Sequence, residues 1–209
     1  ILIRKDMKTK LLVFLLIVTY PVIGQQDLYF TTGIGQSKHF SFDSFRYKMI
    51  GFSLKPVVSG KFGAMFVWSK HALIQPYAGI GINLLGSLNK TEDHYPLNPG
   101  NTHLFRQTYL SLPVGFYVPV YKSVGVEFSI VNGWNLSDRS SVIIGNPRVW
   151  DVAVQPGLYV NLQRWRISTT YYYGVRDVFG VGIIYNTDMR FFNHAWHFNL
   201  SYKLKTFND

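Results

Sequence analysis

The sequence predicts an all-β protein, an eight-stranded antiparallel up-and-down transmembrane β-barrel behind a cleaved signal peptide. Three observations predict it. The N-terminal residues form an export leader, the rest alternates at period two, and tight turns alternate with long connections. Composition agrees. Of 209 residues, 47% are hydrophobic and 17% aromatic but only 15% are charged, against about 25% in ordinary soluble domains. The aromatic content excludes intrinsic disorder. The absence of cysteine excludes disulfide scaffolds, cysteine nucleophiles, thiolate metal sites and a cysteine-anchored lipoprotein.

The leader comes first. Lys8 and Lys10 precede an apolar run from Leu11 to Val18, followed by Thr19–Gly24 with Val22 and Gly24 where a signal peptidase inspects the chain. Met7 is the expected start and cleavage is expected near Gly24/Gln25. A transmembrane anchor is the rival, but the run is far short of the roughly 20 residues a helical span needs. Residues 1–24 form the leader and residues 25–209 the barrel domain. Removing the leader takes away Arg4, Lys5, Lys8, Lys10 and Asp6, which leaves 17 basic and 10 acidic side chains and lowers the net charge from +10 to +7.

Alternation then sets the strands. From Leu73 to Leu85 the even positions are Ile74, Pro76, Ala78, Ile80, Ile82 and Leu84, while the odd ones include Gln75, Tyr77, Gly79, Gly81 and Asn83. Residues 107–118 and 149–162 repeat the pattern. Successive strand side chains point to opposite faces, so each segment has one apolar and one small or polar face. Such segments fall at 27–36, 48–68, 73–88, 105–120, 123–136, 149–162, 165–176 and 195–206. The second is long enough for a hairpin turning near Lys55–Ser59. Its apolar phase runs unbroken from Ile50 to Trp68, however, and one long strand gives the even total that closes a barrel with both termini on one side. Tight turns are expected near Ser69–Ala72, Tyr121–Lys122 and Gln163–Arg164, and long loops at 37–47, 89–104, 137–148 and 177–194. Short turns at one rim and long loops at the other mark an outer-membrane barrel, with the short turns and both termini periplasmic.

Tryptophan decides which face meets lipid. A soluble lipocalin-like barrel would turn its apolar face inward. Here Trp68 and Trp165 at the short-turn rim, and Trp134, Trp150 and Trp196 at the long-loop rim, all lie in the apolar phase. Two outer rings of amphipathic aromatics are what membrane interfaces favour. The other face lines a lumen just wide enough for side chains to fill. Its clearest mid-strand acid is Glu127, expected to pair with Lys61 or Arg166 as an internal strut, because an unpaired buried charge is costly.

The residues Tyr109-Leu-Ser-Leu-Pro113, Arg166-Ile-Ser-Thr-Thr-Tyr-Tyr-Tyr-Gly174 and Phe198-Asn-Leu-Ser-Tyr-Lys-Leu204, with the export signal and eight strands, resemble the PorT-like outer-membrane β-barrels of Bacteroidetes-type bacteria. The resemblance spans the mature chain through loose patterns of alternation and turns. It implies an envelope protein connected with secretion and surface attachment of cargo, and no catalytic motif is carried over.

Other candidates are weaker. His194 and His197 are three apart on a strand, so they point to opposite faces and cannot share an ion. His94, His103, Glu92 and Asp93 share a loop whose default reading is solvated and polar. Arg106, Arg139, Arg148, Arg176, Arg190 and Lys90, beside the long loops, suit the phosphates of anionic lipopolysaccharide. Lys70, His71, Lys122 and Arg164 suit periplasmic contacts. Asn89-Lys-Thr91 and Asn135-Leu-Ser137 match the glycosylation pattern by chance, and Gly33-Ile-Gly35 and Gly79-Ile-Gly81 lack the helix context of a dinucleotide site. No cofactor, metal or nucleic acid is expected, and the barrel is expected to be monomeric with envelope or secretion proteins as partners. Two other functions compete. A lipid A-modifying enzyme would draw on His39, Ser41, Asp43 and Ser44, and a narrow solute channel would need a continuous water path.

Overall fold

The computed structural model describes residues 26–40, 52–68, 73–91, 102–140, 148–181 and 189–207. The leader and its cleavage site lie outside the described residues, as do 41–51, 69–72, 92–101, 141–147 and 182–188. The described strands are β1 (Gln26–Phe40), β2 (Phe52–Lys55), β3 (Val57–Trp68), β4 (Gln75–Thr91), β5 (Thr102–Tyr121), β6 (Val124–Ser140), β7 (Trp150–Leu162), β8 (Trp165–Gly174), β9 (Phe179–Val181) and β10 (Met189–Phe207). Neighbours follow chain order, and β10 returns to pair with β1 from Gln26↔Phe207 to Phe40↔Phe192. The result is a closed antiparallel barrel of eight staves.

Two staves are made of two strands each. β2 and β3 both pair with β4, with Lys55 facing Leu88 and Gly60 facing Leu84, so five steps match four and one residue bulges out. Pro56 marks the break because it has no N–H to give the ladder. This segment is one stave and not a hairpin. β9 likewise continues the β8 stave along β10: Tyr173 faces His194 and Phe179 faces Phe191. Residues 175–178 form the excursion between them. The sequence reading placed this stretch in a long loop, because three residues are too few to show alternation.

At the short-turn rim, two-residue turns at 122–123 and 163–164 join β5 to β6 and β7 to β8. Lys122 (φ 44°) and Gln163 (φ 55°) take the left-handed conformation that matches hairpin turns to the right-handed twist of their strands. Gln26 faces both Trp68 and Phe207, so both described ends lie at this rim. At the other rim β1, β4, β5, β6 and β10 run three to six residues beyond the predicted limits.

Alternation sorts the side chains. Ile34 is 64% exposed and Phe198 58%, both outward, whereas Glu127 and Arg166 are buried inside. The lumen is filled in layers. Tyr29, Val67, Tyr77, Tyr117 and Tyr159 pack at the short-turn end; Leu85, Tyr109, Val131, Ala153, Tyr172 and Ala195 pack toward the long loops. The tyrosines fit because small residues face them. A Cβ added to Gly125 would come within 2.5 Å of Tyr159 Cζ and Oη.

Candidate functional site

Between the two packed layers the lumen is polar. Ser59 Oγ and His197 Nε2 share a hydrogen bond at 3.1 Å, Thr31 and Ser201 hydroxyls one at 2.8 Å, and Asn199 Nδ2 donates to Ser168 and Thr170, both at 3.1 Å. Lys61 from β3, Glu127 from β6 and Arg166 from β8 converge here. Both cations act electrostatically on Glu127, and the Ser168 and Tyr117 hydroxyls turn toward its carboxylate. Glu127 occupies space that a side chain would claim, since a Cβ on Gly157 would stand 2.8 Å from Oε1.

Arg166 spends its short contacts elsewhere. Its Nε donates to Asn161 Oδ1 at 2.7 Å, and its guanidinium lies 3.8 Å from the Tyr117 ring centroid, 4.8 Å from Tyr29 and 5.0 Å from Tyr159. Lys61 Nζ donates to Thr170 Oγ1 at 3.5 Å. A cavity of about 50 Å³ lies among Lys61, Asn83, Glu127, Ser129, Gln155 and Asn199, room for a few waters. The tyrosine layers fill the bore on either side of it.

Two lumen acids went unrecognised in the sequence. Asp27 takes Lys203 Nζ at 2.9 Å and Thr206 Oγ1 at 2.6 Å near the short-turn rim. Asp151 is fully buried and accepts from Tyr172 Oη at 2.8 Å and Asn193 Nδ2 at 2.9 Å. Both lie in the lumen phase of their strands, which was the available signal. Asp151 does not form a carboxylate pair with Glu127. Glu127 faces Gly157, six residues along β7 from Asp151, or roughly 20 Å of strand.

Above Asp151 the network reaches His39, whose Nδ1 is 2.7 Å from Ser87 Oγ, with both residues fully buried beside Phe105. Burial pushes the His39 imidazole down to about 4, against hydrogen bonding from Gln107 and Asn193. His39 is thus the described member of the proposed enzyme set; Ser41, Asp43 and Ser44 lie outside the described residues. So do Glu92, Asp93, His94, Lys70 and His71. Among the described residues no three His, Asp or Glu side chains are grouped to hold a metal ion.

The outer wall carries the tryptophans. Trp134 and Trp150 face each other with centroids 6.0 Å apart and planes 10° apart. Trp196 is exposed on the same rim; Trp165, against Tyr202 at 4.6 Å, and Trp68, opposite Gln26, mark the other. The 13 residues of β7, from Trp150 to the last before its turn, exceed the roughly 9–11 that a tilted strand needs to cross a bilayer. His197 points into the lumen and His194 outward, where half-burial holds its imidazole below the usual histidine range. Lys55 and Arg176, read as lumen residues in the sequence, are exposed at the long-loop rim, with Arg176 5.7 Å from the Trp150 ring. Arg148 pairs with Asp177 at 3.2 Å.

An apolar outer wall bounded by aromatic rings and a polar, filled interior define the class: a membrane-spanning β-barrel with a plugged lumen. Solved structures similar to it include Neisserial surface protein A, with 10% identity and a TM-score of 0.47 over 85% of this chain and 97% of that one. The outer membrane protein OprG from Pseudomonas aeruginosa gives 10% identity and 0.49 over 89% and 97%. The Yersinia pestis outer membrane protein Ail, in a phospholipid bilayer nanodisc, gives 14% and 0.40 over 84% and 99%. Likeness at such identity concerns the fold alone. No family model and no curated protein matches the chain.

Proposed function

We propose that the protein is a small barrel of the bacterial outer membrane with a structural or docking role in the cell envelope, its short turns and both termini periplasmic. The secretion-related role implied by the PorT-like resemblance is the finer form of this reading. The supporting observation is a bore filled by its own side chains in a barrel whose wall rises past the outer aromatic ring. β6 continues six residues beyond Trp134, roughly 20 Å of strand, and presents exposed Leu136 there; Leu104 is exposed on neighbouring β5. Surfaces of this kind dock partners, whereas a filled eight-stranded bore transports little.

Mild-detergent extraction from the native outer membrane, followed by quantitative identification of stoichiometric co-purifying chains, tests the reading. A constant partner lost on Leu104→Asp or Leu136→Asp supports it, and a lone barrel overturns docking. The Ser87–His39 contact, with Asp151 behind Asn193, favours a lipid-modifying enzyme as the second reading. Their burial weighs against it, since a nucleophile must reach its substrate. Ser87→Ala with an intact fold and altered membrane lipid composition would favour the enzyme; unchanged lipids would favour docking.

A further inference from the structure

We propose that the outward groove between β1, β8 and β10 at the long-loop rim binds the phosphorylated sugar headgroup of an anionic outer-leaflet lipid. The register builds the site. Lys38 stands opposite His194 and Gln36 opposite Trp196, while Tyr173 and Tyr171 occupy the same two levels on β8. Directly opposed side chains on one face lie about 5 Å apart, so these polar and aromatic groups form one patch.

Its parts are held in place. His194 stacks on Phe40 at 5.1 Å and 25°, meets the Tyr173 ring at 4.6 Å, and has its Nδ1 2.8 Å from Tyr171 Oη. Tyr171 in turn packs on Trp196 at 5.3 Å. When Tyr171 donates to Nδ1, the imidazole proton sits on Nε2 as a donor for a ligand oxygen. The groove exists because the wall opens there. β1–β3 pairing stops at Ser37↔Val57, and Pro56 lines the gap. Its volume is about 290 Å³, the small end of ligand pockets at about 300 Å³, which suits one headgroup unit.

Position selects a lipid over a free solute. Lys38 and His194 stand one outward position beyond Trp196, at headgroup level, and directly below them Ile34 and Phe198 present open apolar wall for acyl chains. Chemistry selects a phosphorylated sugar. The exposed Lys38 ammonium pairs with phosphate, the aromatic faces take the apolar face of a sugar ring, and Gln36 and His194 bond hydroxyls. The inference rests on the outer-membrane placement proposed above and requires no protein partner.

The test uses the full barrel in nanodiscs of phosphatidylcholine doped with lipid A, released and weighed by native mass spectrometry. The unaltered barrel is expected to keep one lipid A and to shed phosphatidylcholine. Lys38→Gln is expected to lower lipid A retention about tenfold, equivalent to about 1.4 kcal/mol or one charge-assisted contact. Lys122→Gln removes the same charge from the opposite rim and is expected to retain lipid A fully. Equal retention in all three proteins, equal loss in both variants, or retention of phosphatidylcholine as strong as that of lipid A would each overturn the site. Failure of the unaltered barrel to enter the bilayer would overturn the membrane placement as well.

Discussion

Replacing Arg166 by methionine tests whether the lumen charges act as one unit. The substitution keeps an unbranched stem and removes the guanidinium, which is 2% exposed. Two contacts are lost: the hydrogen bond to Asn161 at 2.7 Å and the stack on Tyr117 at 3.8 Å. A hydrogen bond from a charged group contributes about 1.5–3 kcal/mol, and a desolvated cation–π contact about 2 kcal/mol. Against this, methionine escapes the cost of burying a charge. The net expectation is a loss of about 3 kcal/mol in urea unfolding from lipid vesicles, followed by tryptophan fluorescence. Glu127→Gln alone should also destabilise, because Lys61 and Arg166 then face no anion. In the double variant the losses should fall short of additivity by about 1 kcal/mol, the coupling between neighbours in one charge network. Additivity within about 0.5 kcal/mol would refute the unit. No loss in Arg166→Met would refute the tyrosine cage as a source of stability.

Three further outcomes follow from the lumen. His39 titrates at about 4 in the folded barrel against 6.5 for the free side chain, so the fold favours the neutral ring. Its contribution is complete above pH 6.5 and should be lost at about 1.4 kcal/mol per pH unit as pH falls toward 4; His39→Gln should flatten that slope, and an unchanged slope would refute the assignment. Gly157→Ala should cost about 1–3 kcal/mol by overpacking, because its Cβ would meet Thr169 O at 2.6 Å and Glu127 Oε1 at 2.8 Å; unaltered unfolding would show that Glu127 does not sit there. In a planar bilayer the purified barrel should show no steady conductance steps, and reproducible steps would overturn the filled lumen.

Much of this was legible in the sequence, and the reasons are local. Within the bilayer one face meets hydrocarbon and the other the lumen, so alternation is sharp and located all eight staves. Beyond the outer ring both faces can meet water, and the signal fades. Hence the ends of β4 at Thr91 and β6 at Ser140, and all of β9, were missed. The five tryptophans were readable because position and phase coincide. Glu127, Lys61 and Arg166 were readable as charges in a lumen phase, but the tyrosine cage required knowing which staves adjoin β8 across the bore. Asp151 follows the interfacial Trp150, which made it look like a rim residue. The His39–Ser87 contact joins strands 48 residues apart, and no spacing in the chain announces it.

The breaks in the wall show where the bilayer ends. Among the described residues, register shifts fall at Leu28/Tyr29, Thr108/Tyr109 and Pro119/Tyr121, at Pro56, and at residues 175–178. Leu28/Tyr29 lies beside the Trp165–Tyr202 level and Pro119/Tyr121 at the short turn. Thr108/Tyr109 pairs against Asn135 and Ser137, next to Trp134. Pro56 and residues 175–178 sit above Trp196. Between the rings the ladders hold register on every stave. Hydrocarbon demands this, because a backbone group freed there has no water to bond, at a cost of several kcal/mol. Above the outer ring water is available, or the chain supplies its own partners. Val175 N donates to Val152 O, Arg148 N to Val178 O and Val178 N to Phe191 O. The wall is therefore free to open only where a headgroup or a protein can reach it, and the groove beside Pro56 lies at such an opening.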